Sequence, residues 1–227
     1  MRRAYFDRAH YLGDPDFVDV PVKKLLNETY NQKIASSIDM NKATSSASLG
    51  SQIQILEGFH TTHLSVLDKN GNRVSATLSI NLPFGSGYLA EGTGVLLNNE
   101  MDDFSSKPGT PNAYGLVGND ANAIAPEKRP LSSMTPSFVE SEDQIAILGT
   151  PGGSRIITMV FLGILEHLQG KPVENWVDRP RFHHQYLPDV IQHEPTAFSD
   201  ETKKALMAKG HQLQNVGRQY GNMHAIL

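Results

Sequence analysis

Five short segments of this 227-residue chain gather the side chains with reactive or ligand-holding chemistry. They are Thr61-Thr62-His63, Ser79-Ile80-Asn81, Asn98-Asn99-Glu100-Met101-Asp102-Asp103, Arg129-Pro130-Leu131-Ser132-Ser133-Met134 and Pro151-Gly152-Gly153-Ser154. The first two offer hydroxyls, which act as nucleophiles only when a base removes their proton. The third offers carboxylates and the fourth a pair of hydroxyl donors. The fifth offers bare backbone amides at the start of a helix, a setting that favours negative charge. Singly, each has a plain structural reading. A Thr-Thr pair suits a strand, Asp-Asp a solvated turn, Ser-Ser a helix cap or loop, and Pro-Gly-Gly-Ser an ordinary turn.

The elements that must position these segments are legible in outline. Residues 1–38 read as helical and amphipathic, with Leu25, Leu26, Tyr30, Ile34 and Ile38 at helical spacing after a turn at Gly13-Asp14-Pro15-Asp16. The small polar run Ala43-Thr44-Ser45-Ser46-Ala47-Ser48 suggests a mobile linker over 39–60. From Thr61 the texture is β. Asn70-Gly71 between two alternating runs predicts a hairpin in which both turn residues take positive φ. Val95-Leu96-Leu97, Ser137-Phe138-Val139 and Gln144–Leu148 read as further strands, and 99–136 as one long loop. A helix of about four turns follows Ser154, its expected N-cap, and a shorter one follows Pro172. Another runs from a Ser199 cap to Gly210. Strands followed by helices, twice over, predict a layered α+β domain beginning at Thr61.

Composition removes several classes of function. Hydrophobic residues make up 39% and charged residues 19%, with net charge −4 and no basic stripe for nucleic acid or anionic membrane. The absence of cysteine excludes disulfides, thiol catalysis and Cys-ligated metal. The longest apolar run, Met159–Leu165, is far short of a membrane helix, and Met1–Arg8 has no apolar signal-peptide region.

Taken together and in this order, the five segments resemble the signature segments of the gamma-glutamyltransferase (glutathione hydrolase) family. Asp120-Ala121-Asn122-Ala123, Pro180-Arg181-Phe182-His183-His184-Gln185, Arg2-Arg3-Ala4-Tyr5 and Tyr11-Leu12-Gly13-Asp14-Pro15-Asp16-Phe17 extend the likeness across the chain. The resemblance implies a four-layer αββα N-terminal-nucleophile hydrolase sandwich, incomplete here. Residues 1–60 would be the end of a large subunit and 61–227 the small, catalytic one. It implies self-cleavage between His60 and Thr61, after which Thr61 is both nucleophile and, through its α-amine, its own base. The reference pKa of such an amine, about 7.7–8.0, leaves a useful share unprotonated near neutrality.

Other roles follow by position. Ser79 stands where the family has a threonine bonded to the nucleophile, and Thr62 resembles a position near it. Asn81, Glu100 and Asp103 match positions that hold the substrate α-ammonium, Ser132 and Ser133 the α-carboxylate, and Gly152 and Gly153 the oxyanion hole. The reaction implied is γ-glutamyl transfer and hydrolysis of glutathione and other γ-glutamyl amides, with amino acid or peptide acceptors and no cofactor or metal. Periplasmic or extracellular placement is implied as well. The chain departs from the family in length. Only 60 residues precede Thr61, and no residue matches the large-subunit arginine that pairs with the substrate carboxylate, Arg2 and Arg3 standing too early. Another chain could supply the missing portion.

Three other readings stand beside this one. The chain could be a catalytically inert truncated fragment. It could be another N-terminal-nucleophile amide acylase, for instance one acting on a β-lactam side chain, although the Glu100, Asp103 and Ser132-Ser133 cradle favours an amino acid head group. Metal binding through His183, His184, His193 and His211 is the third. Adjacent strand residues point to opposite faces, so packing roles suit these histidines better.

Overall fold

The structure is a computed structural model that describes residues 1–49, 61–107 and 109–227. The N-terminal region forms three helices, α1 (Arg2–Tyr11), α2 (Val22–Leu25) and α3 (Glu28–Ser36). Local chemistry sets the breaks. Gly13 lies so close to Ala121 that a Cβ would fall 2.2 Å from its carbonyl oxygen. Asn27 caps α3 by accepting from the Tyr30 amide at 3.0 Å. Of the predicted apolar stripe, Leu25, Tyr30 and Ile34 are half-buried, whereas Leu26 and Ile38 are exposed. Within the expected linker, Ser46 is buried: its hydroxyl donates to the Tyr186 carbonyl at 2.5 Å and its amide to Asp189 at 2.6 Å. Residues 50–60, including His60, lie outside the described residues.

Strands β1 (Thr61–Leu67) and β2 (Arg73–Ser79) pair antiparallel from Thr61↔Ser79 to Leu67↔Arg73. The hairpin stands, but its turn differs from the two-residue type expected at Asn70-Gly71. Residues 68–72 form a five-residue loop in which Asp68 Oδ1 accepts from the Asn70 and Asn72 amides, each at 2.8 Å. Only Gly71 takes a positive φ there, +83°. An aspartate that organises its own loop removes the need for a second left-handed residue.

A small hairpin, β3 (Leu89–Ala90) with β4 (Val95–Leu96), precedes the long loop. That loop carries two short 3-10 turns, Glu100–Asp103 and Asp120–Asn122. Then come β5 (Ser137–Glu140), β6 (Ile145–Gly149), α4 (Ile156–Leu168), α5 (Val173–Asp178), β7 (Phe182–His183), β8 (Ile191–His193), α6 (Asp200–Ala208), β9 (Leu213–Asn215) and β10 (His224–Ile226). One sheet has the order β10-β6-β5 and another β7-β8-β9.

Strand alternation around β6 builds the layers. Ala146 and Leu148 face α4 and α5, in a core with Ile156, Met159, Val160 and Trp176. The opposite face carries Gly149, whose missing Cβ is replaced by the His63 imidazole, 2.1–2.6 Å from where a methyl would lie. The β1–β2 hairpin therefore rests on the sheet through its polar face, which holds Thr61, His63, Ser65, Ser75, Thr77 and Ser79. Its other face carries Leu64, Val66, Val74 and Leu78, each 41–53% exposed.

One predicted cap is corrected. Ser154 does not cap α4; a 3-10 turn, Gly153–Arg155, intervenes, and the Ser154 hydroxyl donates to Gln185 Oε1 at 2.6 Å. In a buried setting the neighbouring amide oxygen takes the proton that a solvent-exposed cap would leave unused. Ser199, by contrast, caps α6 through the Thr202 amide.

Candidate active site

Thr61 is the first residue of β1, and its Oγ1 donates to Ser79 Oγ across the first rung at 3.3 Å. Ser79 Oγ accepts from the Asn81 amide at 2.8 Å, where the chain leaves β2. Asn81 is buried in a left-handed conformation, φ +70°, that asparagine tolerates better than most residues. Its side-chain amide donates to the Asn99 carbonyl at 3.0 Å, and Tyr114 Oη donates to the Asn81 carbonyl at 2.5 Å. The strand end is thereby tied to the segment that holds the carboxylates.

Glu100 and Asp103 lie in one 3-10 turn. Asp102 turns away and accepts from the Ala113 amide. Burial, then the neighbouring Glu100 charge, pushes the Asp103 carboxyl up to about 7, against the opposing influence of Arg8. Glu100 Oε1 is buried with no hydrogen-bond partner among the described residues. A paired, partly desolvated carboxylate set of this kind is stabilised by a cation that enters between its members.

Ser132 Oγ accepts from the Met134 amide, whereas Ser133 Oγ accepts from Arg8 Nη2, both at 3.0 Å. On the far wall the chain turns through Gly152, φ +146°, and Gly153, φ +57°. A Cβ at Gly153 would meet the Tyr114 ring at 2.4 Å, so only glycine fits there.

Thr61, Ser79, Asn81, Glu100, Asp103, Ser132, Ser133 and Gly153 all line one open cleft. Gly152 is adjacent in the chain and packs against Met159 instead. Thr62 pairs with Leu78 on the outer face of the hairpin and does not join them. Arg8 and Tyr114 are additions that residue types and spacing did not point to, and Asn99, within the third segment, had been given no role of its own. Arg8 carried a usable signal: it lies three residues from the buried Tyr5 on the same face of α1, and a charge on a buried stripe needs a partner.

The four histidines have different hydrogen-bond surroundings, although His184 and His211 both lie near Arg2 and Asp189. His183 bridges Thr158 and Gln185, each at 2.8 Å, and burial lowers its pKa to about 3. His184 lies with Arg2 and Asp189, and burial holds its pKa at about 4. His193 Nδ1 is 2.8 Å from the Glu194 carbonyl, and His211 lies against the N-terminal segment. Among the described residues no three His, Asp or Glu side chains group as metal ligands.

A family model described as Gamma-glutamyltranspeptidase matches residues 1–227. The chain belongs to that family. It is 50% identical over 213 residues to the glutathione hydrolase proenzyme of Escherichia coli K12, an alignment covering 92% of this chain and 37% of that protein. It thus spans little more than a third of the length of this family member. A crystal structure of acivicin-inhibited gamma-glutamyltranspeptidase matches at TM-score 0.69 and 46% identity, covering 72% of this chain and 88% of that one. The cephalosporin acylase of Bacillus halodurans matches at TM-score 0.77 and 25% identity, covering 97% of this chain and 38% of that one. The fold class is accordingly that of the N-terminal-nucleophile hydrolases, a mixed α/β arrangement with small sheets. Among the described residues no helix is long and apolar enough to cross a membrane.

Proposed function

We propose that this chain is the catalytic portion of an enzyme that transfers or hydrolyses γ-glutamyl groups, with Thr61 as nucleophile. The observation that carries the reading is the convergence of a threonine hydroxyl, a carboxylate pair with an unpartnered oxygen and two serines on one cleft. These groups complement the ammonium and carboxylate of an α-amino acid and leave its γ-carbonyl beside Thr61.

Activation precedes turnover. Thr61 Oγ1 attacks the His60 carbonyl, the His60–Thr61 amide bond breaks as an ester forms, and water hydrolyses that ester. The freed α-amine then takes the hydroxyl proton as Thr61 attacks a γ-glutamyl amide such as glutathione. That proton leaves on the departing amine. The γ-glutamyl ester passes to water, giving glutamate, or to an amino acid or peptide acceptor. Gly152 and Gly153 amides stabilise the oxyanion, an interaction worth about 3–4 kcal/mol per donor. These steps are acyl transfers and draw on no cofactor. The Escherichia coli relative is a proenzyme, and the acivicin-inhibited transpeptidase undergoes autoprocessing in which its C-terminus is critical; both support the self-cleavage step. Placement in the periplasm or outside the cell belongs to the same proposal, as does a longer polypeptide or second chain supplying the remaining length.

The test is mass spectrometry of the full-length polypeptide together with an assay on γ-glutamyl and glutaryl anilides. A species beginning at Thr61, lost in Thr61→Ala, with preference for the γ-glutamyl donor, is expected. Preference for the glutaryl donor would move the reading to the acylases. Persistently intact chain without activity would leave an inert fragment.

A further inference from the structure

We propose that Arg8 is a positioning residue for both charged ends of the substrate's amino acid head group, acting through Ser133 and Asp103. This rests on the γ-glutamyl reading of the cleft and goes beyond it by adding a residue that matches none of the family's signature positions.

The geometry is specific. Arg8 lies on α1, more than 120 residues from Ser133 in sequence, and donates from Nη2 to Ser133 Oγ at 3.0 Å. Ser133 Oγ is its one hydrogen-bond acceptor among the described residues. A serine hydroxyl has a single proton. With its oxygen occupied by a guanidinium, that proton is left to point into the cleft, where the substrate carboxylate would accept it. A hydroxyl polarised by a cation is also the stronger donor. The two neighbouring serines therefore differ: Ser132 Oγ accepts from a neutral backbone amide and Ser133 Oγ from a fixed charge.

The same guanidinium acts on the other end of the head group. Arg8 lines a small cavity with Asp103, which also lines the substrate cleft. The charged and titratable groups that face Asp103 are Glu100, Asp102, Tyr114 and Arg8, and of these Arg8 alone favours its ionised form. Tyr5, from the same helix, is the other titratable group coupled to Arg8. Arg8 thus opposes the burial and like charge that favour the neutral acid and enlarges the ionised share of Asp103 for the incoming ammonium. Arginine suits this position because its guanidinium keeps its charge where a buried lysine would surrender a proton.

The test is made in the full-length polypeptide, with two donors: a γ-glutamyl anilide and its α-carboxamide analogue. Arg8→Met should raise KM for the acid by roughly ten- to a hundredfold, as expected for a hydrogen bond to a charged group. kcat should change little, and so should the KM of the α-carboxamide when it is measured well above the acidic limb, where Asp103 is ionised in both proteins. The acidic limb of kcat/KM should move to higher pH, and Arg8→Lys should restore that limb in part. At the same pH, in a Ser133→Ala background, Arg8→Met should add little to the KM for the acid, because there the two residues act as a unit. Equal losses on both donors with an unmoved pH limb, or full additivity with Ser133→Ala, would overturn the inference. Wild-type protein inactive on both donors would instead sink the γ-glutamyl reading itself.

Discussion

Asp103 shows how much one residue's surroundings decide. Its carboxyl is half-neutral near pH 7, so the ammonium-binding cleft is fully charged only above that pH. The expected outcome is a fall of kcat/KM for γ-glutamyl donors of about tenfold per pH unit below the limb, seen in kcat/KM more than in kcat. A pH profile with a donor anilide checks this. The sign for stability is opposite. The raised pKa gives a stabilising contribution that is full below the ordinary value of 3.8 and is lost as pH rises through about 7. Asp103→Asn should therefore abolish donor binding yet raise unfolding stability at pH 8 by about 1–3 kcal/mol, measured by urea denaturation. The residues that the fold brings together on the cleft, from Thr61 to Gly153, were singled out in the sequence by their chemistry, and their proposed roles by resemblance to the family. Tyr114 was not, because a tyrosine in a loop carries no periodic signal, and its role arises from a ring that touches Gly153 and a hydroxyl that holds Asn81.

Among the elements, the contact between hairpin and sheet is the most demanding. His63 occupies the space above Gly149, with Nδ1 2.8 Å from Thr77 Oγ1 and Nε2 3.1 Å from Ser65 Oγ. Gly149→Ala would drive a methyl into that ring and lift the strand that begins with Thr61. A loss of about 1–3 kcal/mol is expected, with a fall in the rate of Thr61 acylation, measured by thermal unfolding and by burst kinetics. At α6, Ser199→Ala should cost about 1 kcal/mol and leave the cleft unchanged. The strands β1, β2, β4, β5 and β6 and the helices α4, α5 and α6 followed from periodicity and turn residues, whereas β3 and β7 to β10 are too short to carry a periodic signal. The Ser199 cap followed as well, but the Ser154 contact and the Asp68 loop did not, because those side chains answer to partners that only folding brings near or that compete with a simpler local rule.

For the molecule as a whole, the hairpin reverses the usual arrangement of a two-faced sheet. Its hydroxyls and imidazole point inward and its aliphatic side chains outward. An outward face of Leu64, Val66, Val74 and Leu78 favours association with another apolar surface. The 227-residue chain alone is expected to self-associate in a concentration-dependent way. Leu64→Thr combined with Val74→Lys should reduce that association without lowering the thermal midpoint. Sedimentation at several concentrations reads the first and calorimetry the second. The layered class was readable in advance from the order of strands and helices. The inversion of the hairpin was not, since alternation gives two faces without saying which one meets a neighbour.

One rung of that hairpin has a further consequence. New chain ends usually fray, because they lose covalent restraint on one side and had little pairing to begin with. Thr61 is held at its first position by the Ser79 rung and by a hydroxyl bond to the same residue. A break just before it would expose an amine without loosening the strand, so the fold contributes a pre-anchored terminus. Amide hydrogen exchange at Thr62 to Leu64 should be as slow after the break as before it.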